Sequence, residues 1–185
     1  MPPRRTSEEL LHLFKENWPE GYSSSEEVML RLYHTALRHT EEMQRFLLQF
    51  DLSTAEFVTL RVLRREPAPH VMTPSVLHET LVMSPAGITK VLKQLEAKGF
   101  VSRKLDTSDK RRNLVQLTSA GKAKITKVQQ AVREFDVDLL GGVLGERDQE
   151  RLAQLLRKLL VSLEPRKSAN AGVSRARDRR LALEA

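Results

Sequence analysis

Ser84-Pro85-Ala86-Gly87-Ile88-Thr89-Lys90-Val91-Leu92-Lys93-Gln94-Leu95-Glu96-Ala97-Lys98-Gly99-Phe100-Val101-Ser102-Arg103-Lys104-Leu105 is the stretch on which the fold turns. It opens with a hydroxyl residue followed by proline, the pairing that suits a helix N-cap and first helical position. Ile88, Val91, Leu92 and Leu95 recur at helical spacing, so a helix over 85–98 would bury that face. Thr89, Lys90 and Lys93 then point elsewhere, and the small first turn of Ser84, Pro85 and Ala86 lets the helix end approach a surface closely. Lys98-Gly99 closes the helix, with a cation in its last turn and a glycine able to adopt the left-handed conformation. The period then changes. Phe100–Leu105 and Asn113–Leu117 alternate as short strands around the polar stretch Asp106–Arg112, which predicts a hairpin.

Upstream, Thr73-Pro74 repeats the hydroxyl-proline start and predicts a helix over 74–81. A short helix, a tight turn, a second helix and a hairpin make a winged helix-turn-helix. Leu52-Ser53-Thr54-Ala55-Glu56-Phe57 combines a Ser53/Glu56 capping box with a Leu52/Phe57 hydrophobic staple and starts a helix over 54–65. Thr6-Ser7-Glu8-Glu9 and Ser24-Ser25-Glu26-Glu27 fit the same box and predict helices over 7–16 and 25–49. Downstream, Ile125, Val128, Val132, Phe135 and Leu139 form a heptad-like stripe that Gly141-Gly142 interrupts. Leu152, Leu155, Leu156, Leu159, Leu160 and Leu163 share one face of a last helix, which Pro165 stops. Stripes this long and apolar exceed what so small a domain needs, and they read as a dimer interface built from both chain ends.

Net charge is +7 over 185 residues, and its distribution is uneven. Residues 84–112 hold eight Lys/Arg against three acids, and residues 165–185 hold six against two, leaving the rest slightly acidic. A basic island on a mildly acidic body is the footprint of a polyanion-binding face. Arg103 and Lys104 lie on the first predicted strand, and Asp109, Lys110, Arg111 and Arg112 at the hairpin tip. Such clustered cations repel one another, and a duplex supplies a purpose: one arginine can enter the electronegative minor groove while its neighbours neutralise phosphates. The absence of cysteine excludes disulfides, thiolate metal sites and thiol redox sensing. His12, His34, His39, His70 and His78 show no metal-ligand spacing, and no phosphate-cradling glycine loop or nucleophile elbow occurs. Neither an enzyme nor a cofactor is expected. No apolar run reaches the ~18 residues of a membrane span, and the polar start at Pro2-Pro3-Arg4-Arg5 lacks a signal peptide's apolar core, so the chain is expected in the cytoplasm.

Leu95-Glu96-Ala97-Lys98-Gly99-Phe100-Val101-Ser102-Arg103, followed by Asp109-Lys110-Arg111-Arg112 and Leu117-Thr118-Ser119-Ala120-Gly121, resembles the MarR family of transcriptional regulators. The family pattern places an acid, a basic residue and an arginine in the wing, then a strand ending Leu-Thr with a glycine three residues on. The resemblance spans roughly residues 25–163 and implies a homodimer whose recognition helices enter successive major grooves of a palindromic site. It also implies that Arg111 is the minor-groove arginine, Asp109 its brace, and Thr89, Lys90 and Lys93 contacts of the recognition helix. The extra N-terminal helix, with Trp18, Ser24 and Arg31, is similar to the urate-responsive branch. That branch carries Asp at the position of Val58 and Arg at that of Val91, so a urate anion would lose its charged clamp here. A small aromatic or apolar ligand fits the two valines better, or none at all. Trp18, Ser24, Arg31 and Phe57 are the candidate pocket residues, Trp18 serving equally well as a core anchor for the added helix.

The expected fold is therefore mainly α, a winged helix-turn-helix with N- and C-terminal dimerisation helices. Residues 1–22 form an extension helix, 23–50 and 119–164 the dimerisation helices, 51–118 the DNA-binding domain, and 165–185 a basic, flexible tail. The expected function is a regulator, a repressor, bound to double-stranded DNA as a homodimer and released by a small effector. A winged-helix protein-interaction module and a non-specific architectural DNA-binding protein are the alternatives.

Overall fold

The helix starts fall where local capping places them. The computed structural model describes residues 5–105 and 113–163. Thr6 caps α1 (Ser7–Asn17) and Ser53 caps α3 (Thr54–Arg65), each through a complete capping box with the glutamate three residues on. Thr73 and Ser84 accept from the Val76 and Gly87 amides, and each hands over to a proline that opens α4 (Pro74–Leu81) and α5 (Pro85–Ala97). One start differs from the sequence reading. The cap of α2 (Ser24–Leu48) is Ser23, whose hydroxyl accepts from the Glu26 amide, so Glu27 is released for other partners.

A three-stranded antiparallel sheet has the order β1-β3-β2, with β1 Val71–Met72, β2 Val101–Leu105 and β3 Asn113–Leu117. The β2–β3 hairpin pairs Val101 with Leu117 and Leu105 with Asn113. The sequence reading has no counterpart for β1, which pairs Val71 with Gln116 and Met72 with Val115. Two helices complete the described chain, α6 (Ser119–Gly141) and α7 (Glu146–Leu163). The result is a mainly helical winged helix-turn-helix.

The chain divides into two compact units, residues 1–131 and 132–185. The core of the first draws on Leu47, Leu60, Leu63, Leu77, Val115 and Val128, all fully buried. Helix α5 contributes Ile88, Val91, Leu92 and Leu95 to it, the face expected from the sequence. Burying each such side chain stabilises by roughly 1.5–3 kcal/mol, whereas an exposed ion pair contributes about 0.2–1 kcal/mol. Apolar burial therefore decides that α5 docks, and polar contacts can only decide how it is oriented. In the second unit, α7 leaves Leu152, Leu155, Leu156, Leu160, Val161 and Leu163 exposed. Along α6 the stripe is buried at Val132, half-buried at Phe135 and exposed at Leu139.

Two glycines are demanded by geometry. Gly99 has φ +72°, and with Phe100 it returns amides to the Glu96 and Leu95 carbonyls at 2.9 Å, a closed Schellman-type end for α5. A Cβ at Gly121 would run into the Phe100 carbonyl. That close approach is fixed by Thr118, whose hydroxyl donates to the Gly99 carbonyl (2.7 Å) and accepts from the Gly121 amide (3.0 Å). The Leu117-Thr118 and Gly121 spacing is thus a joint between wing and helix.

Candidate nucleic-acid interface

The turn between α4 and α5 is tight. Val82 ends α4 in the left-handed conformation, its amide donating to the His78 carbonyl, and Ser84 starts α5 two residues later. Pro85 and Ala86 are exposed at the first turn of α5, beside the exposed cap Ser84. The Thr89 hydroxyl is exposed and donates back to the Pro85 carbonyl at 2.9 Å, while Lys90 and Lys93 are exposed and form no ion pair among the described residues. The helix thus turns its apolar side to the core and its small, polar N-terminal half to solvent.

The hairpin that follows separates the two cations expected on its first strand. Arg103 Nε lies 3.1 Å from Glu96 Oε2, joining β2 to α5, while Lys104 is exposed with no ion pair among the described residues. The tip residues Asp109, Lys110, Arg111 and Arg112 lie outside the described residues. Ser84, Pro85, Ala86, Thr89, Lys90, Lys93 and Lys104 are exposed, and Arg103 is tied at the junction. Positive charge on the outward side of one helix and one adjoining strand is an arrangement able to meet a polyanion.

The sequence alone marks Lys98 only as a helix-end cation and Glu56 only as a cap. The structure joins them at 3.0 Å. Their separation along the chain leaves no local pattern, and only the basic residue before Gly99 hinted at a role.

The four candidate pocket residues stand in different surroundings among the described residues. Arg31 forks between Glu8 and Glu27, with Nη2 at 2.9 Å from Glu27 Oε1, and so locks α1 to α2. Glu27 also accepts from the Tyr22 hydroxyl and faces Lys15 at 3.4 Å. The Tyr22 hydroxyl and the Arg31 guanidinium hold the Glu27 carboxyl down at about 2. Trp18 is 56% exposed, edge-on to Phe14, and its ring would meet a Cβ at Gly21 at 2.7 Å. Ser24 is exposed in the first turn of α2, and Phe57 is buried under the Arg61 guanidinium, 5.2 Å from its ring. A cavity of about 470 Å³ includes Trp18, Phe14, Leu10 and Leu30 in its lining. A second, of about 650 Å³, is lined by residues that include Arg5, Ser7, Leu10, His34, Leu37 and Arg38. Ser24, Arg31 and Phe57 line neither. Val58 is half-buried and Val91 is buried.

Comparison with known proteins agrees with this architecture. The MarR family profile matches residues 50–112. The transcriptional regulator HosA of Escherichia coli O111:H- is 30% identical over 60% of this chain and 78% of its own length. The solved structure of an E. coli MarR mutant complexed with operator DNA is similar at a TM-score of 0.62 and 29% identity, covering 80% of this chain and 98% of that one. BpsR of Bordetella bronchiseptica, solved in work on regulation of its DNA binding by 6-hydroxynicotinic acid, has a TM-score of 0.63 at 25% identity, covering 75% of this chain and 96% of its own. These relatives are regulators rather than enzymes, and no helix among the described residues is long and apolar enough to cross a membrane. The chain belongs to the MarR family and is a DNA-binding transcriptional regulator of winged helix-turn-helix fold.

Proposed function

We propose that this regulator is a cytoplasmic homodimeric repressor that reads a palindromic promoter site. In this reading α5 enters the major groove, with Ser84, Pro85 and Ala86 at the groove floor and Thr89, Lys90 and Lys93 contacting bases and phosphates. Lys104 meets the backbone, Arg103 supports the wing, and the tip residues Asp109, Lys110, Arg111 and Arg112 reach the minor groove. The observation that carries it is the two-sided character of α5: four buried apolar residues behind, two exposed lysines in front. The E. coli relative solved with operator DNA supports the same use of the fold.

The division of labour along the chain follows: residues 51–118 bind DNA, 23–50 and 119–164 dimerise, 1–22 brace the dimer region, and 165–185 add a basic tail. Exposed apolar side chains support it independently in each unit. Helix α2 exposes Val28, Met29, Tyr33 and Leu37, and α7 exposes its leucines. Exposed rows of this kind favour a protein partner surface. Release by a small aromatic or apolar molecule is the remaining part of the proposal. The shallow, open pocket that Phe14 and Trp18 help to line supports it, as does the 6-hydroxynicotinic acid named with BpsR.

Selection of bound fragments from the source genome, followed by competition at physiological salt, tests the reading. A palindromic fragment should bind at least ~10³-fold more tightly than random DNA, and Arg111→Ala should weaken that binding strongly. Equal affinity for random DNA would instead indicate an architectural protein. No DNA binding together with capture of an acidic protein would indicate an interaction module.

A further inference from the structure

Lys98 behaves unlike the lysines ahead of it. Its Nζ lies 3.0 Å from Glu56 Oε1 and donates to the Asp51 carbonyl at 2.6 Å, with the Asp51 carboxylate at 3.5 Å. Glu56 is 4% exposed, and its other oxygen accepts from the Ser53 amide (2.8 Å) and the Ser53 hydroxyl (2.9 Å). One carboxylate therefore serves two elements: Oε2 closes the N-cap of α3, and Oε1 holds the C-terminal end of α5. Burial pushes the Glu56 carboxyl up, but Ser53 and Lys98 outweigh it and hold the group below its ordinary range. The Glu56 carboxyl is thus ionised near neutrality.

Apolar burial seats α5 but is not directional. Ile88, Val91, Leu92 and Leu95 leave a small tilt or slide of the helix cheap, and a buried carboxylate in a 3.0 Å ion pair at one end, with the same ammonium bonded to the Asp51 carbonyl, removes that freedom. The lever is long. From Pro85 to Ala97 the helix runs roughly 18 Å at 1.5 Å per residue, so a tilt of about 5° at the Lys98 end moves the other end by about 1.6 Å. A hydrogen bond to a base edge, with its working range of about 2.7–3.2 Å, does not survive such a shift.

We propose that Lys98 and Glu56 form a positioning latch, which sets the pose of α5 and hence the reach of Thr89, Lys90 and Lys93 without Lys98 touching DNA. The latch rests on the reading of α5 as the recognition helix. Its consequence is that one lysine of the basic island contributes no counterion release, although its loss harms specific binding.

The experiment is anisotropy titration of the full chain with two labelled duplexes, the genome-selected site and a random sequence of equal length, from 50 to 200 mM salt. Lys98→Met and Glu56→Gln should each weaken the selected duplex about tenfold, leave the random duplex nearly unchanged, and leave the slope of log K against log salt at the wild-type value. Lys98→Arg should recover most of the affinity. Lys90→Ala, the control, should lower the slope by about 0.9, the value of one phosphate contact. A similar slope loss at Lys98→Met would make Lys98 a phosphate contact and overturn the latch. So would a lower Tm with unchanged affinity, which would mark the pair as stabilising only. Should Lys98→Met fail to fold, Glu56→Gln keeps the cap acceptor and decides by the same readings. If Lys90→Ala alters neither affinity nor slope, the reading of α5 itself fails, and the latch with it.

Discussion

Two cationic regions of the first unit are built on opposite rules. Where α1 meets α2, Arg31 is shared between Glu8 and Glu27, and Lys15 faces Glu27 while lying 4.6 Å from the centre of the Tyr22 ring. On α5 and β2, Lys90, Lys93 and Lys104 are exposed with no ion pair among the described residues. Paired charges join elements of the chain to one another. Clustered unpaired charges repel, so their concentration on one helix side and the adjoining strand points outward, to a polyanion. Arg103 and Lys98 sit in the second region yet follow the rule of the first, paired with Glu96 and Glu56.

The comparison breaks most easily at Lys90. Charge reversal by Lys90→Glu should cost roughly a hundredfold in affinity for the selected duplex, about 2.7 kcal/mol, with Tm unchanged. An unaltered affinity in an electrophoretic shift assay would erase the distinction between the regions. Arg103→Gln sharpens it: because that guanidinium already has a partner, the loss should be only a few-fold, with a smaller salt-slope change than at Lys90.

Acid should loosen the pairing of α1 with α2. The Glu27 carboxyl is depressed from 4.5 to about 2, so the stability it contributes is fully present above pH 4.5 and is lost as pH falls toward 2. The chain's single tryptophan, Trp18, is packed on Phe14 and follows the loosening of α1 as a fluorescence change in that window. Glu27→Gln should remove this transition, and persistence of the same midpoint would assign it elsewhere. The smallest effect is expected at Arg31→Ala. It should lower Tm slightly by calorimetry while leaving operator affinity within twofold of wild type, and a large affinity loss would place Arg31 with the DNA-facing cations instead.

The contrast also explains what could be read from the sequence. Caps are local, so Ser53 with Glu56, Thr73-Pro74 and Ser84-Pro85 fixed the starts of α3, α4 and α5. The alternation over Asn113–Leu117 gave β3 for the same reason. Strand β1 stayed hidden because two residues carry no period, and its identity comes from pairing with β3 more than forty positions away. At α2 the cap falls on Ser23 rather than Ser24, because Ser23 has Glu26 three residues on just as Ser24 has Glu27, and local pattern does not separate the two. Charge pairing is likewise non-local. The basic island was legible as a total, but nothing near Lys98 or Arg31 in the sequence announces Glu56 or Glu8.

The slope of log K against log salt for Lys90→Ala/Lys93→Ala on the selected duplex tests the central claim most directly. If these two lysines are the free cations of a DNA-reading helix, the slope should fall in magnitude by roughly two, near 0.9 for each phosphate contact. A double variant with the wild-type slope would show that α5 does not face the DNA backbone.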